Sequence, residues 1–213
     1  MASRPVLLVE GDGDRMAVPE LVRRMAAQLE FHHLQPTSRP LKCGNLPPLL
    51  NRGKLERFLE YACERSDGDC VLLIVDCDDV CPAEAVARLG ERGRAIAERY
   101  EKKIGLALLR REFETLFLYS LEKIAQVKGL ELLSYDPNKD FEEDVRGAKE
   151  HLRGRMPKRH YKETRDQTSF TAALDLDLLS ERSRSYQHLA KTLQWLAEPE
   201  SGPPWVYPPP SSD

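Results

Sequence analysis

The residues best placed to do chemistry are carboxylates that close two apolar runs. Glu10 follows the run PVLLV, and Asp76 and Asp78 lie at the end of CVLLIVDCDD. A continuous aliphatic run bounded by turn residues reads as a strand buried on both faces, the kind found in parallel sheets. In such a sheet the carboxyl ends of the strands share one edge and ligands bind in the crevice there, so Glu10 and Asp76 are expected on that edge. Side chains alternate along an extended segment, so Asp76 and Asp78 point the same way, with Cys77 opposite, wherever strand geometry persists to Asp78. Like charges brought together repel unless they share a proton or hold a cation, and hard oxygen ligands suit Mg²⁺ or Mn²⁺. The plainer alternative is that each acid is a solvated loop residue or a helix cap, with Asp79 capping a helix opened by Pro82. A joint site is favoured because both of the most apolar runs end in acids and the first passes straight into the glycine turn GDGD.

The elements that must position these acids alternate. After the first strand, apolar residues recur at helical spacing over residues 14–30, with Pro19 close enough to the start to be tolerated in the first turn. The stretch HHLQPTSRPLKCGNLPPLLNRG is broken by proline and glycine and reads as an irregular loop with room for a short edge strand. A helix is expected over 54–65, the second strand over 71–75, a helix opened by Pro82 over 83–100, a third strand at KIGLALL, and a helix over 112–124. This order predicts an α/β fold with a mainly parallel sheet flanked by helices. Residues 136–198 read as a helical C-terminal extension packed on the same core as 1–135, with helices over 141–153, 170–179 and 186–196. Residues 199–213 read as a proline-rich tail, disordered or extended.

Composition removes several classes. At 213 residues, with 41% hydrophobic and 31% charged residues, the chain has the make-up of a globular protein, and no apolar run approaches the roughly 20 residues of a membrane span. The apolar run directly before Glu10 lacks the longer segment and cleavage site of a secretory signal, so a cytoplasmic location is expected. Five cysteines are an odd number in a chain of this size and read as reduced thiols. Cys70, Cys77 and Cys81 form no paired CxxC with a histidine nearby, which argues against zinc. Gly53 and Lys54 lack the glycine spacing and the following Ser or Thr of a phosphate loop, so the chain is not expected to be an ATPase itself. A net charge of -3 gives no global attraction for nucleic acid, so phosphate binding must come from local cations or bound metal. Lys158, Arg159 and Lys162 form a local basic segment with Tyr161 interleaved, able to contact phosphates and stack on a base, or simply a solvated linker. Lys162 is the lysine best suited to stabilise charge developing on a phosphate. Arg110 and Arg111 directly follow the third strand, on the same expected edge.

The glutamate ending the first strand in VLLVEGDGD, with the DxD of LLIVDCDD, resembles the Toprim domain of topoisomerases, primases and overcoming-lysogenization-defect nucleases. The wider arrangement, including VEGDGDRMAVPELVRR, CPAEA, LLRREFETLFL and HYKETRDQTSFTAALDLDLLSERSRSYQHL, looks like a family of small bacterial Toprim-like proteins of undefined function. The resemblance implies a Toprim/Rossmann-like fold, with Glu10 as general acid/base or metal ligand and Asp76 and Asp78 as metal ligands. It offers Asp14 and Glu114 as ligands to a second metal, with Glu112 the competitor of Glu114. It further implies Mg²⁺- or Mn²⁺-dependent cleavage of phosphodiester bonds in DNA or RNA, and a separate ATPase partner in phage or plasmid defence, with self-association left open. The alternatives are a non-catalytic Toprim-like subunit of an ATPase complex and a nucleotide phosphohydrolase.

Overall fold

The two apolar runs form the centre of a sheet. The computed structural model of the chain describes residues 3–133, 136–156, 160–198 and 203–209. Strand β1 (Pro5–Val9) passes through the glycine turn into α1 (Asp14–Gln28). Then follow β2 (Leu41–Lys42), α2 (Leu46–Leu49), α3 (Lys54–Glu64), β3 (Cys70–Asp76), α4 (Pro82–Tyr100) and β4 (Ile104–Leu109). The helical part comprises α5 (Thr115–Tyr119), α6 (Leu121–Lys128), α7 (Phe141–Asp144), α8 (Ala148–Arg155), α9 (Glu163–Thr171), α10 (Leu176–Arg182) and α11 (Arg184–Ala197), before β5 (Val206–Tyr207). All strand pairs are parallel, in the order β2-β1-β3-β4-β5. The fold is therefore α/β, with a parallel sheet flanked by helices and a helical C-terminal region.

The continuous apolar runs are explained by burial of both sheet faces. Leu7, Val9, Leu72, Ile74, Ala107 and Leu109 face one core, and Val6, Leu8, Leu73, Val75, Leu106 and Leu108 face the other. Helices α3 and α4 cover the second face. The first is covered by α1 and by the C-terminal helices, whose Leu152, Phe170, Leu179, Leu189 and Leu193 join the same core as β1, β3 and β4. Gly105 lets α11 lie directly on β4, because a Cβ there would come within 2.6 Å of Thr192 Cγ2. Among the described residues, no helix is long and apolar enough to cross a membrane.

Five local expectations change, among them the helix expected over 170–179, which is broken at 172–175 between α9 and α10. Pro19 lies in the second turn of α1 rather than the first. The helix expected over 112–124 begins only at Thr115, because Arg111 takes a left-handed backbone (φ 64) and holds 110–114 as a loop, and it breaks at Ser120 (φ -100, ψ 14) between α5 and α6. The helix expected over 141–153 divides into α7 and α8, with Gly147 at φ 68 in the break. In the proline-rich tail, residues 203–209 are ordered and add β5 to the sheet, with Val206 buried opposite Ile104, while the tail's other residues lie outside those described.

Candidate functional site

Order β2-β1-β3 means that the chain leaves β1 in one direction to form β2 and returns on the other side to form β3. The crevice between the carboxyl ends of β1 and β3 is thus a topological switch point, where open α/β sheets bind ligands. Glu10 follows β1 there, and Asp76 ends β3 beside it. Asp76 continues the alternation of Leu72 and Ile74, so it lies on the face covered by α1 and the C-terminal helices.

Asp14 opens α1 and returns to the glycine turn: its Oδ2 accepts from the Gly11 N–H at 2.8 Å. Its Oδ1 accepts from Gln167 Nε2 of α9 at 2.7 Å. Gly13 permits this approach, since a Cβ on it would stand 2.0 Å from Gln167 Oε1. Glu114 caps the start of α5, only 1% exposed, and accepts from the Tyr161 hydroxyl at 2.9 Å. Lys149 of α8 lies 3.9 Å from Glu114 Oε2 and 2.9 Å from Glu163 Oε1.

These groups share one electrostatic field. Burial raises the Asp76 carboxyl well above the usual range, with Glu10, Glu114 and Asp14 adding to the rise and Lys149 opposing it. Burial also raises Glu10, reinforced by Asp14 and Asp78, while the Asp76 main chain and Lys149 pull it down. Glu114 is pushed up to about 7 by burial, against the pull of Lys149 and Tyr161. Burial alone would lower the Lys149 ammonium, yet Glu114 and Glu163 raise it. Glu10 Oε2 is buried and has no hydrogen-bond partner among the described residues. A buried carboxylate oxygen left so calls for a proton, a water or a cation.

Asp78 departs from the alternation argument. Strand β3 ends at Asp76, and Asp78 takes a left-handed backbone (φ 43), bridged to the equally left-handed Arg111 through its N–H to the Arg111 carbonyl at 3.1 Å. Its side chain is exposed, although its charge is still felt at Glu10. Asp79 does not cap α4. It pairs with Arg111 at 2.7 Å and Arg146 at 3.1 Å, and Cys81 occupies the cap position.

The donor set has the chemistry of a hard-cation site, but among the described residues no group of three or more His, Cys, Asp or Glu side chains is arranged to hold a metal ion. The hydrogen bonds say why. Asp14 has both oxygens engaged, Glu114 is engaged by Tyr161 and faced by Lys149, and Asp78 is turned outward, which leaves Asp76 and the Oε2 of Glu10, whose carboxylate also accepts from the Asp76 main chain, as the least committed groups.

The basic segment is arranged differently from the expectation. Tyr161 is fully buried, packed on Phe117 and Phe170, and cannot stack on a base. Lys162 is exposed at the N-cap of α9, with its main-chain N–H donating to Asp166 at 2.9 Å. Lys158 and Arg159 lie outside the described residues. The cation felt at Asp76 and Glu10 is Lys149, which sequence reasoning passed over because nothing in AKEHLRGR marks it. Gln167 was missed for the same reason. Glu112 turns to the Lys149 N–H at 3.3 Å, and Glu114 is the one of the pair that Asp76 feels. All five cysteines are free thiols.

No curated protein and no solved structure matches the chain. The model of the family described as Domain of unknown function (DUF4276) matches residues 9–194, and the chain belongs to that family.

Proposed function

We propose that the chain is a Toprim-type nuclease that uses Mg²⁺ or Mn²⁺ to cleave phosphodiester bonds in DNA or RNA. The observation that carries this reading is the buried, unpartnered Glu10 Oε2 beside Asp76 at the β1/β3 switch point, in a field of four coupled carboxylates. Glu10 and Asp76 would hold the cation, with Asp14, Asp78 and Glu114 as further ligands once their side chains turn. Bound there, a divalent ion supplies charge neutralisation at a phosphate and a lowered pKa for water. The chain's own groups do the rest. Glu114, at about 7, is poised to hold or release a proton at Oε2, the oxygen not bonded to Tyr161. Lys149 offers positive charge to a phosphate, a part that Lys162 could play only from the surface. By resemblance, a separate ATPase partner and a role in phage or plasmid defence go with this activity.

The test is cleavage of single-stranded, duplex and supercoiled DNA and of RNA by the purified chain, with Mg²⁺, with Mn²⁺ and with chelator. Metal-dependent cleavage lost in Glu10→Gln and Asp76→Asn supports the proposal. Cleavage retained by both variants sinks the site assignment.

One observation favours a second reading. Because no three-ligand group stands ready and Lys149 already offsets part of the negative charge, the acids would instead share protons in a non-catalytic subunit that docks on an ATPase. Absence of cleavage with every substrate and metal, and no thermal stabilisation by Mg²⁺ or Mn²⁺, would select it.

A further inference from the structure

A second recess opens on the same edge of the sheet, beyond β4. It has a volume of about 770 Å³ and lies between the first turns of α4 and of α11, over Leu108 and beside Pro208 and Pro209. It exists because β5 is short. Only Ile104 and Gly105 of β4 pair with it, through Val206 and Tyr207. Among the described residues, the rest of that edge has no strand partner.

The main-chain groups on the open edge can be assigned by alternation. The carbonyls of Lys103 and Leu109 accept from Val71 of β3 and from Cys77 just after it, so odd-numbered residues of β4 direct their N–H and C=O toward β3. The Ile104 N–H donates to Trp205, so even-numbered residues face the other way, toward β5 and the recess. Continuing the ladder past Tyr207 would need an N–H from Pro209, which proline lacks. The ladder therefore stops, and the Leu106 C=O and both the N–H and C=O of Leu108 find no partner among the described residues. The Arg110 N–H, next in the series, is taken by Ser185 Oγ at 2.8 Å. Leu106 is fully buried and Leu108 is 4% exposed, so these are buried polar groups that must find a partner.

The walls say which partner. Val86, Ala87 and Pro208 offer flat apolar surface, and the His188 imidazole, stacked on Tyr207, offers an aromatic edge. Arg110 and Arg184 stand at the rim and share the exposed Glu143, at 3.6 and 2.6 Å. An adjacent N–H and C=O deep in an apolar slot match a planar heterocycle with a donor beside an acceptor, and rim guanidiniums match a phosphate.

We propose that this recess binds a nucleobase, read on its hydrogen-bonding edge by the Leu108 main chain, with the attached phosphate at Arg110. The base comes from a free nucleotide or from the end of a nucleic-acid strand. The proposal does not depend on the metal reading, because none of its groups is an acid of the switch-point site.

The test is calorimetric titration of the full chain, in chelator, with the nucleoside 5′-monophosphates and with short single-stranded oligonucleotides. Saturable binding with Kd of about 1–100 μM is expected. Binding of mononucleotides assigns a free nucleotide, and binding of oligonucleotides alone assigns a strand end. Ala87→Trp, which fills the slot, should weaken binding about tenfold or more, while Glu10→Gln leaves it unchanged. Hydrogen exchange at the Leu108 amide of the unsubstituted chain should slow when ligand is bound, which keeps the test decisive should the tryptophan variant fail to fold. No saturable binding up to about 1 mM, or binding that neither protects Leu108 nor responds to Ala87→Trp, overturns the proposal.

Discussion

Between β1 and β3 the carboxyl edge of the sheet gathers Glu10, Asp14, Asp76 and Glu114 near one lysine, whereas beyond β4 the same edge holds a recess with an apolar floor and charged rim, along which the Leu108 main chain has no partner among the described residues. The two regions meet at the end of β3 and the β3–α4 connection, where Asp76 belongs to the acid cluster and Asp79 and Cys81 line the recess. Their difference arises from what ends the neighbouring strands. Carboxylates end the strands at the switch point, and burial, reinforced by their mutual repulsion, raises the pKa values of Glu10 and Asp76. Pro208 and Pro209 end β5, and the cost there is main-chain groups of β4 that find no partner among the described residues. One sheet edge thus carries a cluster of buried carboxylates between β1 and β3 and a recess of different lining beyond β4.

The largest effect expected concerns chemistry. Asp76→Asn or Glu10→Gln should reduce metal-dependent cleavage by about a thousandfold, roughly 4 kcal/mol in the barrier, and leave nucleotide binding intact. Cleavage and binding falling together would merge the two recesses into one. Gly13→Ala should come next, at about 1–3 kcal/mol of destabilisation by denaturant melts, because the new Cβ drives Gln167 off Asp14. A neutral result would show that α9 tolerates a looser hold on the acid turn.

The pH dependence gives a smaller effect of opposite sign. Carboxyls raised in the folded chain bind protons more readily there than in the unfolded chain. Their contribution to stability is therefore greatest at low pH and falls as pH rises from the ordinary carboxylate range toward about 7, the value for Glu114. In chelator at about pH 8, Asp76→Asn should accordingly stabilise the protein by roughly 1–2 kcal/mol, and the gain should shrink at about pH 4. Mg²⁺ should raise the melting temperature of the unsubstituted chain and not of the variant. A destabilised Asn variant at high pH would mean that the charge is already compensated. The smallest effect is expected for Tyr161→Phe, about 1 kcal/mol, from the lost hydrogen bond to Glu114, measured by the same melts.

Much of the architecture was legible. The runs at 5–9 and 70–76 lie side by side and parallel at the centre of the sheet, because only strands buried on both faces are apolar without alternation. Glu10 and Asp76 were legible as neighbours for the same reason, being the first polar positions after those strands. Asp78 was not, because its left-handed backbone is imposed by the bridge to Arg111, a residue 33 positions later in the chain. Lys149 and Tyr161 were not either, since a lysine in a polar helix and a tyrosine in a basic stretch carry no signal until α8 and α9 fold over the sheet.

By itself, then, the sequence determined the parallel sheet and the edge on which the acids stand, because both follow from hydrophobic burial and strand direction. Only the tertiary structure decided which acids are committed and which are free, which lysine faces them, and that the short β5 leaves a slot beside β4. Those outcomes depend on contacts between residues far apart in the chain, such as Gln167 with Asp14 and Tyr161 with Glu114, and on a ladder that stops where proline has no hydrogen to give.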